Sequence, residues 1–382
     1  MSLPETLRLK RPLERVISRG HPWVFRDALE RPPRRPGRVH TLLDRKGAFL
    51  ARGLSDAGPI AFRSWTTSDE SVDARLLTRR FRSAVALRSA VRSPDTDAYR
   101  LLHGEGDRVP GVVCDRYGPV AVLRFDGEGA QAFEGALLEL LREEGAKTLM
   151  VKSRGEEASV RVGPAPPDVL VVEEHGMRLP VALRRGQKTG LFLDHRASRM
   201  EVRKLSEGRR VLNLYSYTGA FSVAAGLGGA RSVTSVDVAE AALELAVEGF
   251  RLNGLDVPHA THAGDVPEFL RSLPRGAAFD LIVADPPSFA PREAAKKAAL
   301  KSYRLLHRAC LERLAPEGLY LAASCSSHVR RGEFQESLVD GARSAGTALQ
   351  VLGSWGAAAD HPTLAVFPEG DYLKVVLCRR VR

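Results

Sequence analysis

From about residue 184 onward the chain alternates apolar runs of four or five residues with stretches of helical spacing. The runs are Val211 to Leu214, Ser232 to Asp237, Leu281 to Ala284, Gly318 to Ala323 and Lys374 to Cys378. Short runs bounded by turn residues and separated by helices predict a mostly parallel sheet covered on both faces, with ligands at the carboxyl ends of its strands. Residues 1 to about 70 follow another rhythm. Val39 to Leu43, Ala48 to Leu50 and Ile60 to Phe62 are short strand candidates between Pro, Gly and Asp turns, which predicts a small β-rich module. Between these parts, residues 70 to 92 place apolar side chains at helical spacing with arginines between them. Strand candidates then recur at Ala121 to Phe125, Thr148 to Lys152 and Val169 to Glu173. The predicted organisation is a β-rich module over 1–70, a small α+β domain over 71–183 and an α/β domain over 184–382.

Charge adds a partner to this outline. The formal net charge of the 382 residues is +11, and residues 1 to 100, with 21 Lys and Arg against 11 Asp and Glu, carry +10 of it. A basic excess confined to one end of the chain points to a polyanion, and nucleic acid is the favoured one. Arg8, Lys10 and Arg11 on one side and Arg34 and Arg35 on the other flank His21-Pro22-Trp23-Val24-Phe25. Basic groups around an exposed aromatic bind phosphate and stack a base; alternatively Trp23 and Phe25 are core residues of a small barrel. No apolar run is long enough to span a bilayer, and the N-terminus lacks the apolar stretch of a signal peptide, so the expected location is cytoplasmic. Cys114, Cys310, Cys325 and Cys378 form no C-x-x-C pair, so neither a disulfide framework nor a metal site is expected.

Candidate chemistry lies at the carboxyl ends of the predicted strands. The first strand enters a helix through Asn213-Leu-Tyr-Ser-Tyr-Thr-Gly219-Ala-Phe-Ser222. Phe221 stands where a dinucleotide fingerprint needs its second glycine, which argues against NAD. Asp237 closes the next strand, where a carboxylate accepts both hydrogen bonds of a ribose diol. Asp265, in a predicted loop, suits the amino group of an adenine. Asp285-Pro-Pro-Ser-Phe289 follows the apolar strand at 281–284 and presents a carboxylate on a backbone stiffened by two prolines. Cys325 follows the strand at 318–323 among small polar residues, the setting of a reactive thiol, whereas Cys310 and Cys378 read as core thiols.

These stretches, together with Gly186-Gln-Lys-Thr-Gly-Leu-Phe-Leu-Asp-His-Arg196 and Ser324-Cys-Ser326, resemble the bacterial large-subunit ribosomal RNA cytosine-C5 methyltransferases that carry an N-terminal PUA domain. The resemblance implies a Rossmann-like S-adenosyl-L-methionine (SAM) methyltransferase domain of mostly parallel sheet, a barrel-like PUA domain and an α+β middle domain. It further implies that Asn213, Tyr215, Thr218, Gly219 and Phe221 hold the methionine part of the cofactor, Asp237 the ribose and Asp265 the adenine. Asp285 and Pro286 would floor the pocket, while Phe192, Asp194 and Arg196 close it. Cys325 would add to C6 of cytosine with Asp285 stabilising the adduct. The implied partner is 23S rRNA or a large-subunit assembly intermediate, with no membrane and no metal; a homodimer is compatible with it. Ser288 occupies the position of a second cysteine found in one large group of such enzymes, so a single-cysteine arrangement is implied. The rival expectations are an amino-group or uridine-C5 RNA methyltransferase and a non-catalytic ribosome-assembly protein.

Overall fold

A computed structural model describes residues 4–153, 155–274 and 276–381, and these divide into two compact units. The first comprises residues 1–168, 182–190 and 359–370. It holds two five-stranded sheets. In spatial order the N-terminal one is Glu5–Arg8, Val39–Leu43, Phe49–Ser55, Ile60–Thr66 and Trp23–Phe25. The second runs Ser159–Val162, Thr148–Val151, Val120–Phe125, Val112–Tyr117 and Ala98–His103. The helix expected between them is Ala74–Val91. Asp73 starts it by accepting hydrogen bonds from the amides of Arg75 and Leu76, and its apolar face buries Leu76, Leu77, Phe81 and Ala84.

The second unit comprises residues 169–181, 191–358 and 371–382 and is built on a seven-stranded sheet. Its strands are β1 (Arg210–Leu214), β2 (Ser232–Asp237), β3 (His259–Ala263), β4 (Phe279–Ala284), β5 (Leu314–Ser324), β6 (Ala348–Trp355) and β7 (Lys374–Val381). The spatial order is β3-β2-β1-β4-β5-β7-β6, and β7 alone runs antiparallel to the rest. The expected Rossmann-like sheet is therefore present, and the order reverses between β1 and β4. At that switch the loops after neighbouring parallel strands turn to opposite faces and open a crevice. Apolar side chains from β1, β4 and β5, such as Leu212, Ile282 and Tyr320, form one core with the helices Lys296–Glu312 and Arg331–Ser344.

The sequence boundary near residue 183 differs from the observed division. Leu170–Glu174 and Met177–Val181 pair as an antiparallel hairpin within the second unit, whereas residues 182–190 belong to the first. The hairpin lies there because Val172, Met177, Leu179 and Val181 are buried and Glu174 is tied to Arg199. Among the described residues, no helix is long and apolar enough to cross a membrane, and no His, Cys, Asp and Glu group is arranged to hold a metal ion.

Candidate active site at the sheet switch

The turn after β1 has unusual backbone. Tyr215, Tyr217 and Gly219 have φ of 57°, 48° and 71°, so two bulky residues adopt the left-handed conformation that L side chains rarely take. Strain of this kind is retained where the surroundings over-determine it, as at ligand clamps. At Gly219 a Cβ would also collide with Ala246. Asn213 is buried and donates from Nδ2 to Ser222 Oγ at 2.9 Å; Ser222 bonds Ser235 Oγ at 2.7 Å. The Asn213 Oδ1 and the Ser216 Oγ are buried without a partner. Such groups cost on the order of 1–3 kcal/mol each until a ligand satisfies them.

Asp237 ends β2 with one carboxylate oxygen accepting the Tyr217 amide at 2.8 Å and the other the Ala239 amide at 2.9 Å. The carboxylate is thereby fixed beside the strained turn. Phe192 packs edge-on against Tyr217, with ring centroids 5.3 Å apart. Asp265 caps the helix Val266–Ser272 by accepting the Glu268 amide at 3.1 Å.

On the other side of the switch, the loops after β4 and β5 come together because the strands are parallel neighbours, with Ala284 opposite Ala322. The Cys325 thiol lies 4.0 Å from the Pro286 carbonyl. Of the four cysteines, Cys325 alone is not buried. Burial pushes the Cys310 and Cys378 thiols up to about 12 and raises that of Cys114 as well. The residue after Cys325 is anchored from several sides. Ser326 Oγ lies 2.9 Å from the Tyr303 hydroxyl and 3.2 Å from Ser288 Oγ, and it accepts the Ala290 amide. Desolvation raises the Tyr303 phenol, so it acts as a neutral hydroxyl.

Several residues to which the sequence reading gave no role complete this site. His195 is buried, with Nε2 3.1 Å from Asp285 Oδ2 and Nδ1 3.4 Å from Ser198 Oγ. The Trp355 indole, a donor only, donates to Ser198 Oγ at 2.9 Å. Ser198 thus lies between the Trp355 indole and His195 Nδ1, and the ring is held with Nε2 toward Asp285. Glu174, completely buried, accepts both Nε and Nη2 of Arg199 at 2.6 Å, and its Oε2 lies 3.4 Å from Arg196 Nε. Arg199 also donates to the Phe192 carbonyl at 2.9 Å, while the Tyr372 hydroxyl donates to Asp194 at 2.7 Å. Phe192, Asp194 and Arg196 are thus held in place by polar partners. None of these partners has a local signal, because each depends on a residue far away in sequence.

In the first unit, Arg8, Lys10, Arg11, Arg34 and Arg35 are exposed, although Arg11 pairs with Asp27 at 2.6 Å. Trp23 is only half-exposed. Its indole donates to Glu105 at 2.8 Å, and its ring packs edge-on against Phe367 at 4.6 Å. That packing favours the core alternative for Trp23 and leaves Phe25, 44% exposed, as the open aromatic.

Comparison with known proteins extends these observations. The sequence profile of a family described as S-adenosylmethionine-dependent methyltransferase matches residues 144–351, and that of a PUA-like domain matches residues 7–67. Ribosomal RNA large subunit methyltransferase I of Salmonella arizonae is 38% identical over 390 residues, covering 98% of this chain and 97% of that protein. The protein of the same name from Cronobacter sakazakii is 38% identical over 389 residues, covering 97% and 98%. A Streptococcus mutans chain described as a SAM-dependent methyltransferase superposes with a TM-score of 0.89 at 26% identity, covering 98% of this chain and all of that one. Another solved methyltransferase chain with the same TM-score and identity is complexed with SAH, the demethylated cofactor. The unpartnered Asn213 and Ser216 atoms, the strained turn from Tyr215 to Gly219 and the fixed Asp237 carboxylate fit such a cofactor.

Proposed function

Because the chain belongs to the S-adenosylmethionine-dependent methyltransferases, in the family of ribosomal RNA large subunit methyltransferase I, we propose that it methylates C5 of a cytidine in 23S rRNA. One observation carries the choice of atom: its one cysteine that is not buried lies beside the Asp285-Pro286 backbone, at the carboxyl edge of the sheet.

The cofactor's methionine part would be held by Asn213, Tyr215, Thr218, Gly219 and Phe221, its ribose by Asp237 and its adenine by Asp265. Phe192, Asp194, Arg196 and Pro286 would bound the pocket. When bound, the cofactor supplies an electrophilic sulfonium methyl group, toward which C5 of an unactivated cytosine is too weak a nucleophile. Cys325 removes that obstacle. Addition of its thiolate to C6 breaks the C5–C6 double bond and makes C5 enamine-like; loss of the C5 proton and elimination of the thiolate later restore the ring. Asp285 has one oxygen engaged by His195; the other would accept from the exocyclic amine or share a proton with N3, and that proton would offset the charge that addition places on the ring. Arg8, Lys10, Arg11, Arg34 and Arg35 would contact RNA phosphates from the PUA-like module.

The test is incubation with radiolabelled methyl donor and unmodified large-subunit RNA, followed by mass spectrometry of the nucleosides. The expected product is 5-methylcytidine. A methylated amino group would overturn the choice of atom, 5-methyluridine the choice of base, and no transfer to RNA or to subunits the activity.

A further inference from the structure

The mechanism above needs a thiolate at Cys325 but makes no use of Lys374, a cation enclosed by the second unit. Lys374 opens β7 opposite Ser324, the last residue of β5, and its side chain is 1% exposed. Its Nζ donates to the carbonyl of Ser326 at 2.6 Å and to that of Tyr372 at 2.8 Å. Among the described residues no carboxylate is within ion-pair distance of it. A buried ammonium held only by neutral carbonyls carries a large desolvation cost, and nearby negative charge repays it.

The loop that bears Cys325 is gripped on both sides of the thiol. Ser324 and Ser326 bond the Tyr303 hydroxyl, each at 2.9 Å, and the Ser326 carbonyl bonds Lys374. We propose, on the reading that Cys325 is the nucleophile, that Lys374 is its positioning cation: it fixes the loop through the Ser326 carbonyl and stabilises the thiolate by its charge.

Electrostatics supports the assignment. Burial pushes Lys374 down to about 8, and the largest opposing influence is Cys325, followed by Asp371, while Arg331 acts in the same direction as burial. The influence is mutual: a cation that a thiolate stabilises also stabilises that thiolate. Tyr303 is a neutral phenol, and Asp285, with His195 on it, disfavours a second anion. Lys374 is a cation that offsets Asp285. It acts through Cys325 and touches no substrate atom in this reading.

The experiment is the pH profile of Cys325 alkylation by iodoacetamide in the full-length protein, with modification mapped by mass spectrometry. Cys114, Cys310 and Cys378 are buried, and Cys325→Ala gives the background. In the unsubstituted protein the inflection should fall below the ordinary thiol value of about 8.5. Lys374→Met should move it upward by at least about one pH unit, which lowers the rate at pH 7 roughly tenfold with the high-pH plateau retained. Lys374→Gln keeps a donor to Ser326 without the charge and should behave like Met. An inflection at or above about 8.5 in the unsubstituted protein overturns the proposal even if neither variant folds. So does an unmoved inflection in Lys374→Met, or one restored by Gln. Failure of the nucleophile reading is distinct: Cys325→Ala would then still transfer methyl groups, whatever the alkylation profile shows.

Discussion

His195 and Asp285 meet at 3.1 Å, Nε2 to Oδ2, while Ser198, which accepts from the Trp355 indole, contacts the far ring nitrogen of His195. A ring nitrogen hydrogen-bonded to one carboxylate oxygen fixes the orientation of that carboxylate. If Asp285 stabilises the cytosine adduct, His195→Ala should lower kcat by roughly ten- to a hundredfold, since a hydrogen bond to a charged group is worth about 1.5–3 kcal/mol. KM for the methyl donor should stay within about threefold. Steady-state kinetics checks this, and an equal loss in Trp355→Phe would not be expected, because Ser198 can still reach Nδ1.

Cys325→Ala should abolish methyl transfer while leaving the affinity for SAH within about twofold, because the thiol activates the base and does not bind the cofactor. Transfer of label to RNA and calorimetric titration with SAH measure the two separately. Lost affinity would place Cys325 in the cofactor pocket.

For Asp237→Ala the expected change is the reverse. The Kd for SAH should rise by about ten- to a hundredfold, as the ribose loses a charged acceptor and the Tyr217 amide loses its partner. An unchanged Kd would put the ribose elsewhere.

Glu174→Ala removes the buried carboxylate that Arg199 grips with two nitrogens and so breaks a buried ion pair from one side. The cost should be about 3–5 kcal/mol. Urea unfolding followed by tryptophan fluorescence should show an earlier transition; Glu174→Gln should fall between Ala and the native residue.

His307 is buried among aromatic rings, with Nδ1 on the Tyr320 hydroxyl at 2.8 Å, and burial lowers it from 6.5 to about 3. The unfolded chain therefore takes up a proton below about 6.5 that the folded chain refuses until about 3. Stability rises with pH across that window by up to about 1.4 kcal/mol per unit and is lost progressively as pH falls through it. Ring NMR signals of His307 should remain those of the neutral form at pH 5. A midpoint near 6.5 would contradict the burial argument.

The local order of residues determined β1, β2, β4, β5 and β7, and with them the placing of Asn213, Asp237, Asp285 and Cys325 at or just beyond the carboxyl ends of strands. An apolar run followed by a turn defines where a strand stops without reference to any distant partner. Two strands were not legible that way, His259–Ala263 and Ala348–Trp355. Both are sheet edges, covered less on their faces, so they need no continuous apolar run. The hairpin Leu170–Val181 was half visible, but its place in the second unit depends on Glu174 finding Arg199. The contacts of Lys374 and Tyr303 arise only when β7 inserts beside β5 and the helix Lys296–Glu312 packs against it, and that of His195 only when its segment meets the loop after β4, since a buried polar group is defined by a partner that lies elsewhere in the chain. For the same reason Trp23 could be read from sequence either as a base-stacking aromatic or as core, and its contacts with Glu105 and Phe367 favoured the second.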